Sequence, residues 1–394
     1  MSAIDDFWDD VLGHIRQQVM VPVTGPDLTV ANVRGTAQTL TRLVGEHLAE
    51  RYDLDVSPGP TTMDNAVGAF LRERGRDEVE RLYRVINDVI ADLDPVPGDP
   101  LRDLAAITDL RLFVSTTPDR LLAQALNDVR FQSRPRTREL TFSPTQSTSE
   151  QSRNARAAMT SDIVVLRLFG QTASTPQYAI HEEDRLEWLH SLLTHAASLP
   201  DWLNYQLKYQ PLLFIGCDIP DWIGRFLLRM SSNTRLTLER KQFFFVGSST
   251  SHEPSLTNFF ATYCRKAQVQ QLDMEPTAFV AELRARWATQ GGTRSRTAVG
   301  AASPPPPEIF ISYMREDADA ARRLKDAITE LGGDVWLDER RLRPGDAWEH
   351  ELLTRIRRTI RLFVAVISAN TEREEEGYEA YSGAFLSDSC RRGE

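Results

Sequence analysis

Cysteine is scarce in this sequence and does not group. Cys217, Cys264 and Cys390 lie far apart, which offers neither a metal-ligand spacing nor an even disulfide set. Histidine gives no catalytic cluster either: His14, His47, His252 and His350 have no partners at metal or triad spacing. No metal site is expected. No apolar run approaches the roughly 18–20 residues that span a bilayer, and the acidic start Met1-Ser2-Ala3-Ile4-Asp5-Asp6 lacks the apolar core of a signal peptide. The expectation is a cytoplasmic protein without a membrane partner. Basic charge is in deficit, 46 Lys and Arg against 56 Asp and Glu for a net −10, so a dedicated nucleic-acid binder is not indicated. What is present is ordinary globular material. The 41% hydrophobic and 26% charged residues exclude wholesale disorder, and 394 residues suggest two or three domains.

The clearest division is at 290–307, QGGTRSRTAVGAASPPPP. Small, polar and proline residues cannot bury apolar surface, and four consecutive prolines favour an extended spacer. The expected organisation is a domain over 1–289, a linker over 290–307 and a second domain over 308–394. A polar stretch from about Ser133 to Ala158 reads as a long surface loop. Upstream of the linker, short apolar runs stop at turn or polar residues: Val19–Val23, Leu110–Ser115, Ile163–Phe169, Leu212–Gly216 and Phe243–Gly247. Helical spacing lies between them, as in Phe7, Val11, Leu12 and Ile15, or Leu186, Leu189, Leu192 and Leu193. Buried strands alternating with helices predict an α/β fold with a doubly wound parallel sheet, whose ligands bind at the carboxyl ends of the strands.

Beyond the linker, Ile309–Tyr313 reads as a strand. Ala321, Leu324, Ile328 and Leu331 mark one face of the helix after it, which ends at Gly332-Gly333. Val335–Leu337 is a second strand, Pro344-Gly345 a turn, Asp346 and Glu349 a capping-box-like helix start, and Leu362–Ile367 a third strand. The sequence F-I-S-Y (Phe310–Tyr313) with an acidic pair, V-W-L-D (Val335–Asp338), L-R-P-G-D (Leu342–Asp346) and V-I-S-A-N-T (Val366–Thr371) together resembles a bacterial TIR domain, over roughly 308–378. The resemblance implies a flavodoxin-like parallel sheet. It also implies one of two roles: assembly with other TIR or defence proteins, or cleavage of NAD as substrate, with no cofactor required.

Carried over by position, Ile311, Ser312 and Tyr313 would form the floor of the NAD pocket, with Trp336, Asp338 and Leu342 beside it. Arg343, Pro344, Gly345 and Asp346 would belong to the self-association loop. Ile311 and Trp336 also suit a buried sheet without any ligand. NAD cleavage needs a dry nicotinamide pocket and a carboxylate near the ribose to stabilise oxocarbenium-like charge. The family's Glu-Trp pair does not follow Gly377-Tyr378; Ser382 and Gly383 stand there instead. Glu379, three residues early, is the nearest candidate catalyst, pointing about 60° from the expected direction on a helix. The change of composition after Tyr378 suggests a truncated or frameshifted reading frame.

The first domain carries VPVTGPDL (Val21–Leu28), FVSTTPDRLL (Phe113–Leu122), VLRLFG (Val165–Gly170), YAIHEEDRLEWL (Tyr178–Leu189) and LLFIGCDIPDW (Leu212–Trp222). These resemble the sirtuin-like, Rossmann-type NAD-consuming domains of bacterial defence proteins, in degenerate form. The resemblance implies a Gly-Ala-Gly-x-Ser phosphate loop, and only Gly25 of that loop survives, followed by Pro26 without an amide donor and by acidic Asp27. Ser115, Thr117 and Asp119 match the family's Thr-x-Asn-x-Asp without its asparagine. Phe169 stands where the family places its histidine base, and phenylalanine cannot accept a proton. His181 suits a helix start better than a substitute base, and Asp119 a helix cap. The expectation is an antiviral signalling protein in which an inactive sirtuin-like sensor or assembly domain is fused to a TIR NAD+ nucleosidase. The alternatives are a non-enzymatic TIR adaptor or an inactive product.

Overall fold

In the computed structural model of the chain, the described residues are all except 1, 2, 58, 76, 77, 143–162, 195–200, 218–220, 233, 234, 237–240, 248–253, 265–267, 290–307, 314, 331–333, 338–359, 367 and 369–394. The chain divides into two compact units, Met1–Ser295 and Arg296–Glu394.

The first unit is organised by a sheet whose five central strands are buried on both faces and whose two edge strands are not. β1 (Val21–Thr24), β5 (Leu112–Ser115), β6 (Arg138–Thr141), β7 (Val164–Arg167), β8 (Leu212–Ile215), β9 (Phe243–Val246) and β10 (Val269–Leu272) form one sheet in the order β10-β9-β8-β1-β5-β7-β6. Every pairing in it is parallel. Side chains alternate across a strand, so the apolar runs feed two cores. Phe113, Val165, Leu213 and Phe244 enter one, and Val114, Leu166, Phe214 and Phe245 enter the other. Helices α1 (Ala3–Arg16) and α11 (Pro276–Thr289) cover the first face. Phe7, Val11, Leu12 and Ile15 of α1 are buried there, and Trp8 stacks on Phe279 with ring centroids 5.0 Å apart. Helices α7 (Glu182–Thr194), α8 (Asp201–Tyr209), α9 (Asp221–Met230) and α10 (Pro254–Tyr263) supply residues to the second.

Between β1 and β5 the chain inserts a small module. It comprises an antiparallel sheet ordered β3-β2-β4, from β2 (Val30–Val33), β3 (Thr36–Thr39) and β4 (Val96–Pro97), with helices α2 (Leu40–Tyr52), α3 (Met63–Arg74) and α4 (Val79–Leu93). Helix α5 (Asp99–Ala106) leads to β5, and α6 (Leu121–Phe131) follows it. Arg130 of α6 donates to the Ala105, Leu110 (2.7 Å) and Ile107 (2.6 Å) carbonyls, satisfying the end of α5 and the chain that leaves it. Burial of this guanidinium lowers its pKa to about 10.

Two readings of the sequence need correction. The stretch from Ser133 is not all loop: Arg138–Thr141 forms edge strand β6, and its residues 143–158 lie outside the described residues. Leu186 does not share the buried face of α7. It is 47% exposed, and Trp188 packs inside with Leu189 and Leu192.

In the second unit, β11 (Glu308–Ser312), β12 (Asp334–Leu337) and β13 (Ile360–Ala365) form a sheet ordered β12-β11-β13, parallel throughout. Helix α12 (Ala318–Glu330) follows β11. Ile309, Ile311, Ala321 and Val335 form its core, with Tyr313, Ile328, Val364 and Val366 packed against them.

Candidate functional site

In a doubly wound sheet the carboxyl ends of the central strands are where ligands gather. At that edge of the first unit, β1, β5 and β7 and the inserted module enclose a cavity of about 60 Å³. Pro26 and Thr29 follow β1; Thr116, Thr117, Pro118 and Asp119 follow β5; Phe169 and Ala179 come from the β7–α7 connection. Leu40, Thr41, Val44, Met63, Asp64 and Ile90 of the module close the opposite wall.

The chain after β1 does not enter a helix. It turns through Gly25–Thr29 into β2, and its amides are consumed on the way. Gly25 N–H donates to the Ile215 carbonyl at 3.0 Å and Asp27 N–H to that of Gly216 at 3.1 Å. Leu28 and Thr29 N–H both donate to Gly25 O at 3.2 Å, and Val30 N–H to Leu28 O at 2.8 Å. Pro26 has none to give. A phosphate therefore finds neither a helix terminus nor a free amide on this turn. Gly25 is required by contact between strands: a Cβ there would lie 2.2 Å from Gly216 O and 2.3 Å from Cys217 Cα.

The Ser115–Asp119 segment is held by its own side chains. Ser115 Oγ donates to the Thr117 carbonyl at 3.1 Å, and Thr116 Oγ1 to the Thr24 carbonyl at 3.1 Å. Asp119 Oδ1 accepts from Leu121 N–H at 2.8 Å, capping α6, while its buried Oδ2 has no hydrogen-bond partner among the described residues. Beneath the segment, fully buried Arg167 donates from Nε to the Asp119 carbonyl at 2.9 Å and from Nη1 to Gln171 Oε1 at 2.7 Å. Arg167 also pairs with Glu139. Burial lowers its pKa to about 10, against the opposing pull of the Asp119 charge.

Phe169 is buried and faces the cavity, whose lining has no histidine among the described residues. His181 lies at the start of α7, where its Nδ1 accepts from Asp184 N–H at 3.2 Å. Asp184 in turn takes the Tyr83 hydroxyl at 2.8 Å, and the Tyr178 hydroxyl donates to the Tyr83 carbonyl at 2.7 Å. Arg185 of α7 pairs with Asp64 of α3 in the cavity lining.

Of the first-unit positions singled out in the sequence, Thr117, Asp119 and Phe169 line one cavity, with Gly25 and Ser115 adjoining it through Pro26 and Thr117. The Asp64–Arg185 pair and buried Arg167 carried no recognisable signal, because their partners are remote in sequence.

The second unit places Ile311, Ser312 and Tyr313 at the carboxyl end of β11. Ile311 is wholly buried and Tyr313 is half-buried over the same core. Trp336 lies on β12 in register with Phe310. Ser368 Oγ donates to Asp317 Oδ2 at 2.6 Å, joining the acidic pair after β11 to the segment after β13. Those two motifs were visible separately; the contact between them was not. Asp338, Leu342, Arg343, Pro344, Gly345, Asp346 and Glu379 lie outside the described residues.

A TIR domain occupies residues 309–391. The match is to the family model described as TIR domain, and it takes in all three strands of the second-unit sheet except Glu308. No curated protein matches the chain. A TIR domain supports a signalling or NAD-cleaving role in general. Among the described residues, no helix is long and apolar enough to cross a membrane, and no group of His, Cys, Asp and Glu could hold a metal ion.

Proposed function

We propose that the chain is a prokaryotic immune signalling protein whose TIR domain hydrolyses NAD at the nicotinamide–ribose bond, joined to a sirtuin-like unit that has lost catalysis and serves to sense or assemble. The TIR match over 309–391 carries this reading. The parallel arrangement that sets Ile311 and Tyr313 at the carboxyl end of a strand, and the Asp317–Ser368 hydrogen bond that joins the segments after β11 and β13, support a site there. In the reaction the ribose C1′–nitrogen bond breaks, its electron pair leaves with nicotinamide, and water adds to C1′ with loss of a proton. Asp338, directly after β12, is the carboxylate assigned to the ribose hydroxyls and the developing positive charge. TIR domains commonly self-associate, and assembly through Arg343–Asp346 would complete the pocket.

For the first unit, the spent amides after β1 and the phenylalanine at position 169 support a binding role over turnover. The second reading, a non-enzymatic TIR adaptor, is favoured by Ser382 and Gly383 in place of the Glu-Trp pair. Purified full-length protein incubated with NAD separates the two. The proposal expects nicotinamide release that Asp338→Ala abolishes. No release, with or without a crowding agent, would leave the adaptor in its place.

A further inference from the structure

We infer that the cavity at the carboxyl ends of β1, β5 and β7 binds a small organic cation, a protonated amine with an apolar body, and rejects phosphate-bearing nucleotides. This deepens the reading of the first unit as a non-catalytic sensor and rests on it.

Around the Asp119 side of the cavity most hydroxyl and amide donors are spent within the fold. Thr29 spends its hydroxyl proton on Gly25 O at 2.9 Å, and Thr116 spends its own on Thr24 O at 3.1 Å. Thr116 N–H donates to Thr24 O, Thr117 N–H to Ser115 Oγ, and Leu121 N–H to Asp119 Oδ1. The Thr117 hydroxyl sits 3.1 Å from Ser115 Oγ and 3.4 Å from Thr29 Oγ1, both of which can accept its proton. Arg185 is engaged by Asp64. Asp119, only 7% exposed, keeps Oδ2 without a partner among the described residues. A buried acceptor in that state costs free energy that an incoming donor returns, and a carboxylate returns most to a cation.

The formal charges of the lining are Asp64, Asp119 and Arg185, one negative charge in excess. A phosphate would be repelled by the Asp119 carboxylate and would have to compete with Asp64 for Arg185, the one cation among the described lining residues. Apolar side chains make up much of the rest of the lining, Leu40, Val44, Met63, Ile90, Phe169 and Leu227, and suit a hydrocarbon body. At about 60 Å³ and open on one side, the cavity has room for an ammonium group and the carbon that bears it, with the ring of a larger amine at its mouth, and not for a dinucleotide.

The test uses the full chain and three probes of one shape: benzylamine, benzyl alcohol and phenyl phosphate. Thermal unfolding and saturation-transfer NMR report binding. Benzylamine at ten times its Kd should raise the Tm by about 3 °C, benzyl alcohol less, and phenyl phosphate not at all. Asp119→Asn keeps an oxygen for Leu121 and turns the free acceptor into a donor, so it should weaken benzylamine at least about tenfold while the near-ultraviolet circular dichroism is retained. Should that variant fail to fold, Ile90→Phe, which fills the cavity without altering charge, should abolish the response instead. Stabilisation by phenyl phosphate equal to that by benzylamine would overturn the inference. So would undiminished benzylamine binding in whichever of the two variants folds, or no response to benzylamine at millimolar concentration. Nicotinamide release from the same preparations reports on the TIR unit, so its absence with benzylamine binding intact would remove only the hydrolase reading.

Discussion

Replacing Gly25 with alanine distinguishes a glycine kept for the fold from one kept for a ligand. The added methyl would lie 2.2 Å from Gly216 O, 2.3 Å from Cys217 Cα and 2.6 Å from Cys217 N, all main-chain atoms that cannot swing away. Relief requires the ends of β1 and β8 to separate. That movement strains two hydrogen bonds, Gly25 N–H to Ile215 O and Asp27 N–H to Gly216 O. At about 1 kcal/mol for each bond and about 1–3 kcal/mol for overpacking, the expected loss is about 3–5 kcal/mol. Against a stability of about 5–15 kcal/mol for a native domain, this is a large fraction. With a urea slope of about 3 kcal/mol/M the midpoint should fall by about 1–2 M. Urea unfolding of the full chain, followed by near-ultraviolet circular dichroism, measures it. A loss below about 1 kcal/mol at unchanged slope would refute the argument, because the glycine would then serve backbone approach by a ligand.

Arg130→Met removes donors from the Ala105, Ile107 and Leu110 carbonyls and should destabilise the first unit by about 2–4 kcal/mol, read from the same urea curves. Phe169→His restores a base in name only. The amides after β1 remain spent, so the variant should lose about 1–3 kcal/mol of stability and add no nicotinamide release from the first unit, detectable when paired with Asp338→Ala. Tyr83 and Tyr178 are held protonated chiefly by burial, with the Asp184 charge assisting, whereas in the unfolded chain both ionise near 10. Their contribution is complete below pH 10 and is lost above it, at about 1.4 kcal/mol per pH unit for each tyrosine. Arg130 and Arg167, lowered to about 10, act in the opposite direction over that range. The Tm difference between wild type and Tyr178→Phe, measured from pH 9 to 11, therefore isolates the tyrosine: it should shrink as pH rises.

The strands visible in the sequence were those buried on both faces. β5, β7, β8 and β9 are nearly unbroken apolar runs, and each agrees with its expected position to within two residues. Edge strands β6 (RELT) and β10 (VQQL) bury little more than Leu140 between them, so their hydrogen bonding left no hydrophobic trace. In the antiparallel β3-β2-β4 sheet, β3 buries no residue and β4 is two residues long, so neither left a hydrophobic run to read. In the cavity, Thr117, Asp119 and Phe169 were legible through the sirtuin-like resemblance, whose motif positions they match. The Asp64–Arg185 pair joins residues 121 apart, and only folding brings them together.

The TIR domain is proposed to consume NAD once assembled. The direct measurement is nicotinamide released per protomer by the full-length protein, taken across about a hundredfold range of protein concentration. The account predicts a rate per protomer that rises with concentration and disappears in Asp338→Ala. Release absent at every concentration, or unchanged by Asp338→Ala, would contradict it.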